Sequence, residues 1–102
     1  MALTNSKVAK QCAETLSGIA EPHRIQIIDV LLTGPKNVTE IAKALKIEIV
    51  NASHHLSVLR NAGLVEDKKD GRFVIYSLDP KFVDSKGSTT LDLGWCKVEI
   101  AG

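Results

Sequence analysis

The chain has no apolar run long enough to span a bilayer and no secretory leader pattern. It is therefore read as a soluble, cytoplasmic protein that works away from membranes. It also has no glycine-rich phosphate loop and no cluster of carboxylates. Cys12 with a distant histidine is the remaining nucleophile pairing, and nothing in the sequence brings those residues together. The chain is accordingly read as no enzyme and as needing no cofactor. Cysteine is scarce: Cys12 and Cys96 lie far apart and form no zinc-type pair within one chain. In a reducing compartment both are thiols by default. Charge of one sign is missing too, because 13 Lys and Arg face 12 Asp and Glu for a net +1. That excludes a broad basic field, so any nucleic-acid affinity must come from local arrangement. There is no internal repeat and no low-complexity tract. At 102 residues the chain is one domain with a modest core, which pairing with a second copy would enlarge.

What is present centres on Asn51-Ala-Ser-His-His-Leu-Ser-Val-Leu-Arg-Asn-Ala-Gly-Leu-Val65. This reads as a helix over about Ile49 to Asn61 that stops at a glycine and runs into a strand. Ala52, Leu56 and Leu59 recur at i, i+4, i+7 and make an apolar face. Val50, Ser53, His54 and Ser57 make a second face that is small, polar or methyl-bearing. A solvated helix face usually carries Lys and Glu. Short hydrogen-bonding side chains suit close approach to a flat polar surface such as the floor of a DNA major groove. Upstream, Asn37-Val-Thr-Glu-Ile-Ala-Lys-Ala-Leu45 predicts a short amphipathic helix. Asn37 and Glu40 form its capping box, and Ile41, Ala42 and Leu45 form its buried face. The gap to the next helix is helix-turn-helix spacing. Downstream, two β-prone runs flank Asp70-Gly71, a strong hairpin signal. The expected fold is mainly α with a small β wing, a winged helix-turn-helix, as a dimer.

Five segments in this order carry a family resemblance: Glu21-Pro-His-Arg-Ile-Gln-Ile-Ile28, Val38-Thr-Glu-Ile-Ala42, Ser53-His-His-Leu-Ser-Val-Leu-Arg60, Ala62-Gly-Leu-Val65 and Gly71-Arg-Phe-Val-Ile-Tyr76. Together they resemble the ArsR-type winged-helix repressors over roughly residues 10 to 80. The resemblance implies a homodimeric repressor that binds a palindromic operator in double-stranded DNA and leaves it when an inducer binds. The inducer is unknown from the sequence. Metal sensing is the family's best-known task. The family's thiolate ligands on the third helix and its histidine and carboxylate ligands on the closing helix are both missing here.

Elsewhere, a first helix over about residues 4 to 17 has Val8, Cys12 and Leu16 on one stripe, and Gly18 is read as its end. A second helix opens at Glu21-Pro22, with Ile25, Ile28, Leu31 and Leu32 as its core face and Gly34-Pro35 as its stop. Asp79-Pro80 can open a brief helix through Phe82 and Val83. The tail from Leu91 to Ile100 alternates around Gly94 and is read as extended. This departs from the family, where a long helix closes the fold. The domain division expected is 1–83 for the winged helix-turn-helix and 84–102 for an extended tail docked at the dimer interface.

The candidate DNA-contacting residues are Val50, Asn51, Ser53, His54 and Ser57 on the reading helix, with Lys68, Lys69 and Arg72 on the wing. Val50 either touches a thymine methyl group or packs with Ile49 at the helix entrance. Asn51 either bonds a base or phosphate or merely occupies the first turn. Glu48 is a weak N-cap. His55 is read as a partly buried structural histidine, and Arg24 as structural or a backbone contact. The three histidines are taken as isolated, without carboxylate neighbours, and so as no metal site. Cys12 and Cys96 are either small buried hydrophobes or, meeting in a dimer, a redox pair or a linear soft-metal site. Two other readings stand beside the repressor: a winged-helix protein-interaction module, and a thiol redox-sensing repressor using the two cysteines.

Overall fold

The computed structural model describes residues 6–82, 90–92 and 97–99. Helix α1 covers Ser6–Ile19 and α2 covers Pro22–Leu32. Strand β1 (Lys36–Asn37) leads into α3 (Val38–Leu45), then α4 (Ile49–Asn61). Strands β2 (Val65–Asp70) and β3 (Phe73–Leu78) follow, then a short 3-10 turn at Pro80–Phe82. Strands β4 (Thr90–Asp92) and β5 (Lys97–Glu99) close the order. The architecture is the expected one, mainly helical with a small antiparallel wing.

The core is built where three helices meet the base of the wing. Ile27 and Ile28 of α2, Ile41 of α3, and Leu56 and Leu59 of α4 are fully buried with Leu64. Each such side chain contributes about 1.5–3 kcal/mol by leaving water. Val65 and Leu78, paired across β2 and β3, seal the wing's base against this cluster. The core face of α2 is therefore Ile27, Ile28 and Leu31, and Ile25 is 40% exposed. That corrects the expected face. Helix α2 is apolar nearly all round, so periodicity does not pick its inner side, and packing against α3, α4 and β3 decides it.

A second correction concerns Gly18, which lies inside α1. A Cβ built there would sit 2.8 Å from the Cβ of Ala62. The glycine is thus a point of close approach between α1 and the end of α4, and not a helix stop. Leu16, expected on the inner stripe with the buried Cys12, is 42% exposed. Among the described residues, helix α1 packs chiefly on α2 and α4, and Leu16 lies outside those contacts' cover.

Local chemistry sets the remaining boundaries. Glu21 caps α2 by accepting from the Arg24 N–H at 3.1 Å, and Pro22 follows at the first helical position. Asn37 and Glu40 form the expected capping box: Glu40 N–H donates to Asn37 Oδ1 at 2.8 Å, and Asn37 N–H to Glu40 Oε1 at 3.0 Å. Lys46 ends α3 in the left-handed region, at φ 58°. The wing turns through Gly71-Arg72, with Asp70 still paired to Phe73 and Gly71 at φ 62°. The turn lies one residue beyond the expected Asp70-Gly71, because a glycine at the first of two loop positions supplies the positive φ.

Two features had no sequence signal. Strand β1 pairs Lys36 with Tyr76 and Asn37 with Ile75, giving sheet order β1-β3-β2. Within the tail, Thr90–Asp92 and Lys97–Glu99 are extended as expected, and they pair antiparallel with each other, Leu91 opposite Val98. The brief helix after Asp79 is the 3-10 turn, and Phe82 packs on the core. Cys96 and Trp95 lie outside the described residues.

Candidate nucleic-acid interface

Helix α4 spans Ile49–Asn61, the range read from the sequence. Ala52, Leu56 and Leu59 are its buried stripe. This leaves Val50, Asn51, Ser53 and His54 exposed and Ser57 half-buried. Val50 is 75% exposed and Ile49 50%, so neither packs away at the helix entrance within the chain. Glu48 precedes the helix in extended conformation and makes no side-chain cap. The first turn therefore keeps its N–H donors without a side-chain acceptor. The projecting face is short and uncharged, and reaches outward by methyl, hydroxyl, amide and imidazole groups.

The wing stands beside this face. Lys68, Lys69 and Arg72 are exposed, and so are Glu66, Asp67 and Asp70. Strand β2 is an edge strand, and successive side chains alternate between its faces. Lys69 and Lys68 therefore point to opposite sides. Arg60, in the last turn of α4, is held by Asp67 at 3.0 Å, which ties the helix to the wing.

A separate polar cluster lies where α1, α2 and α4 meet. Arg24 Nε donates to the Gly18 carbonyl at 2.7 Å, which makes Arg24 structural as expected. Its Nη1 lies 3.4 Å from His55 Nδ1, and Glu21 Oε2 lies 3.7 Å from the same nitrogen. The His23 ring meets His55 edge-on with centroids 5.4 Å apart. One ligand atom each from Glu21, His23 and His55 falls within 4.8 Å of the others. The reading of three isolated histidines is thereby corrected: two of them share a site with a carboxylate. Burial pushes the His55 imidazole down, and the Glu21 carboxylate only partly offsets this against Arg24 and the two other histidines. Burial pushes Glu21 up, but the Arg24 N–H bond and the adjacent His55 outweigh it and hold the carboxyl below its ordinary value.

A short-residue helix seated on a three-helix core beside a β-hairpin defines a winged helix-turn-helix protein. The family model for bacterial regulatory proteins of the arsR family matches residues 21–67, from the start of α2 into β2. The HTH-type transcriptional regulator NmtR of Mycobacterium tuberculosis is 45% identical over 74 residues, which is 72% of this chain and 62% of that protein. The transcriptional repressor SdpR of Bacillus subtilis is 36% identical over 60% of this chain and 68% of its own length. A homodimeric winged helix-turn-helix DNA-binding domain from Mycobacterium bovis, a possible ArsR-family regulator, superposes with a TM-score of 0.69. It is 32% identical over 72% of this chain and 68% of its own. The chain belongs to the ArsR family of bacterial regulatory proteins. No helix among the described residues is long and apolar enough to cross a membrane.

Proposed function

We propose that the chain is a dimeric, cytoplasmic transcriptional repressor that binds a palindromic DNA operator and releases it when an inducer binds. The observation that carries this reading is the exposed row of α4, short and uncharged, on a helix whose opposite stripe is fully buried. Ser53 and His54 reach base edges, Val50 meets a thymine methyl, and Asn51 and Ser57 bond bases or phosphates at the ends of the row. Lys68, Lys69 and Arg72 lie along the flanking phosphates. No catalysis enters this reading, because every exposed group in the row serves contact.

The dimer rests on α1. Leu16 is exposed there, and an open groove of about 710 Å³ runs between α1 and α4 past Ala13, Ser17, Val58 and Ala62. A second copy covers this surface, and the tail over 84–102 docks in the same region. A two-fold dimer presents two reading helices about one DNA turn apart, hence the palindrome.

The test is a titration of short palindromic duplexes from the protein's own promoter region at several salt concentrations. The parent shifts them with salt-dependent affinity. Ser53→Ala with His54→Ala loses specific binding while the thermal midpoint barely moves, because both side chains are exposed. A double variant that binds like the parent removes this face from the interface.

A further inference from the structure

We propose that Glu21, His23 and His55 form a binding site for one borderline first-row divalent ion such as zinc, placed where α2 meets the recognition helix. The proposal deepens the repressor reading, since it names a signal that reaches α4. The cluster lies on neither element to which the family resemblance points for metal, the third helix or the chain's closing segment.

The donor set carries the argument. Two imidazoles and one carboxylate are ligands that bind zinc, with room left for water at a fourth position. There is no thiolate in the set, so softer ions gain little. A tetrahedral zinc shell with bonds of about 2.0–2.1 Å has ligands roughly 3.3 Å apart. Glu21 Oε2 and His55 Nδ1 are already 3.7 Å apart, and the full set lies within 4.8 Å. Closing that difference asks the donors to approach by about 0.4 to 1.5 Å. All three residues are half-buried, so the ion is partly shielded yet reachable. The carboxyl is held by the Arg24 N–H bond to one oxygen, which leaves its second oxygen and further lone pairs for a metal.

The site is wired into the fold by Arg24. His55 Nδ1 is the atom nearest to both Glu21 Oε2 and Arg24 Nη1. An ion held between Glu21 and His55 takes that lone pair and displaces the guanidinium. Arg24 stays anchored to the Gly18 carbonyl through Nε. The positive guanidinium lowers the site's affinity, and the negative Glu21 opposes this. Metal binding therefore ties the start of α2 to the middle of α4 in place of an arginine bond. His55 is the chain neighbour of His54 in the exposed row, so a shift of α4 at His55 is felt at the DNA face.

The experiment begins without DNA. Zinc is titrated calorimetrically into the chelator-treated full chain, and cobalt is added in parallel for its absorption bands. The expected result is one ion per protomer with a four-coordinate cobalt spectrum. His23→Gln, and Glu21→Gln, which keeps a capping carbonyl for Arg24, should each lose more than about 100-fold in affinity. Both should retain the parent's circular dichroism. The Cys12→Ser/Cys96→Ser double variant should bind zinc like the parent. Binding that survives in both Glu21→Gln and His23→Gln, or that vanishes with the cysteines, overturns the site. So does a parent that takes up no stoichiometric zinc. Promoter duplexes are then titrated with and without zinc. A zinc-dependent change of affinity in the parent that is absent in His23→Gln supports the coupling, and an unchanged affinity overturns it. A protein that binds zinc as described but binds no duplex in either condition keeps the site and refutes the repressor reading.

Discussion

Replacing Gly18 with alanine should destabilise the protein, although alanine is the better helix former. The site is buried within α1, and an added Cβ would lie 2.8 Å from the Ala62 Cβ. Carbon atoms settle at about 3.5–4.0 Å, so α1 and the end of α4 must separate by roughly 0.7–1.2 Å. The obstructing atom is itself a Cβ, fixed to the backbone, and no rotamer moves it aside. Overpacking of this kind costs about 1–3 kcal/mol. The gain in helix propensity is at most about 1 kcal/mol, and less near a helix end. The net expectation for Gly18→Ala is a loss of about 1–2 kcal/mol, or a fall of roughly 4–15 °C in Tm for a domain of this size. Ala62→Gly alone should cost less than about 1 kcal/mol. The double variant should recover most of the loss, because the clash needs both methyl groups. The assay is thermal and urea unfolding of all four proteins at one protomer concentration, read as a double-mutant cycle. A Gly18→Ala protein as stable as the parent, or a double variant whose effects simply add, would refute the close-approach reading.

Two further outcomes are expected. Arg72→Ala and Lys69→Ala should weaken binding to all duplexes alike, and removing a cation that neutralises a phosphate should flatten the log-affinity against log-salt slope by about one unit; unchanged slopes in both variants would take the wing out of the interface. Lys46→Gly should stabilise the fold by about 1 kcal/mol, since a non-glycine residue is strained at φ 58°, and urea unfolding that shows no gain would place the cost of that turn elsewhere.

The parts legible in the sequence were those settled by local chemistry. Asn37 and Glu40 announce the start of α3 because a capping box needs only four consecutive residues. Helix α4 is legible at both ends and on both faces because its apolar and polar rows differ in kind. Helix α2 is not, because Ile25, Ile27, Ile28, Val30, Leu31 and Leu32 surround it, and only its neighbours choose a face. Gly18 misleads for a related reason: a glycine near a helix end reads as a stop, and its closeness to Ala62 is visible only in three dimensions. Strand β1 is too short for any period. The Glu21–His23–His55 cluster is hidden by distance along the chain, with Arg24 and His55 31 residues apart. The pairing of Glu21 with His23 through Pro22 was the available hint, since two potential ligands flank the first helical residue.

The alternation of sign along β2 has a consequence for how such a protein finds its target. One face of the strand carries Glu66, Lys68 and Asp70, and the other carries Asp67 and Lys69, with Arg60 already engaged by Asp67. Seen from beyond a Debye length of about 8–10 Å, these charges largely cancel, and the field they leave falls off as that of a multipole. Any duplex then exerts little pull from afar. Close in, the cancellation fails, and in the proposed repressor each cation meets its own phosphate on whatever duplex the wing touches. The wing then adds little to the rate of encounter and more to the hold once contact is made, so its removal is expressed in how long a complex lasts more than in how fast it forms.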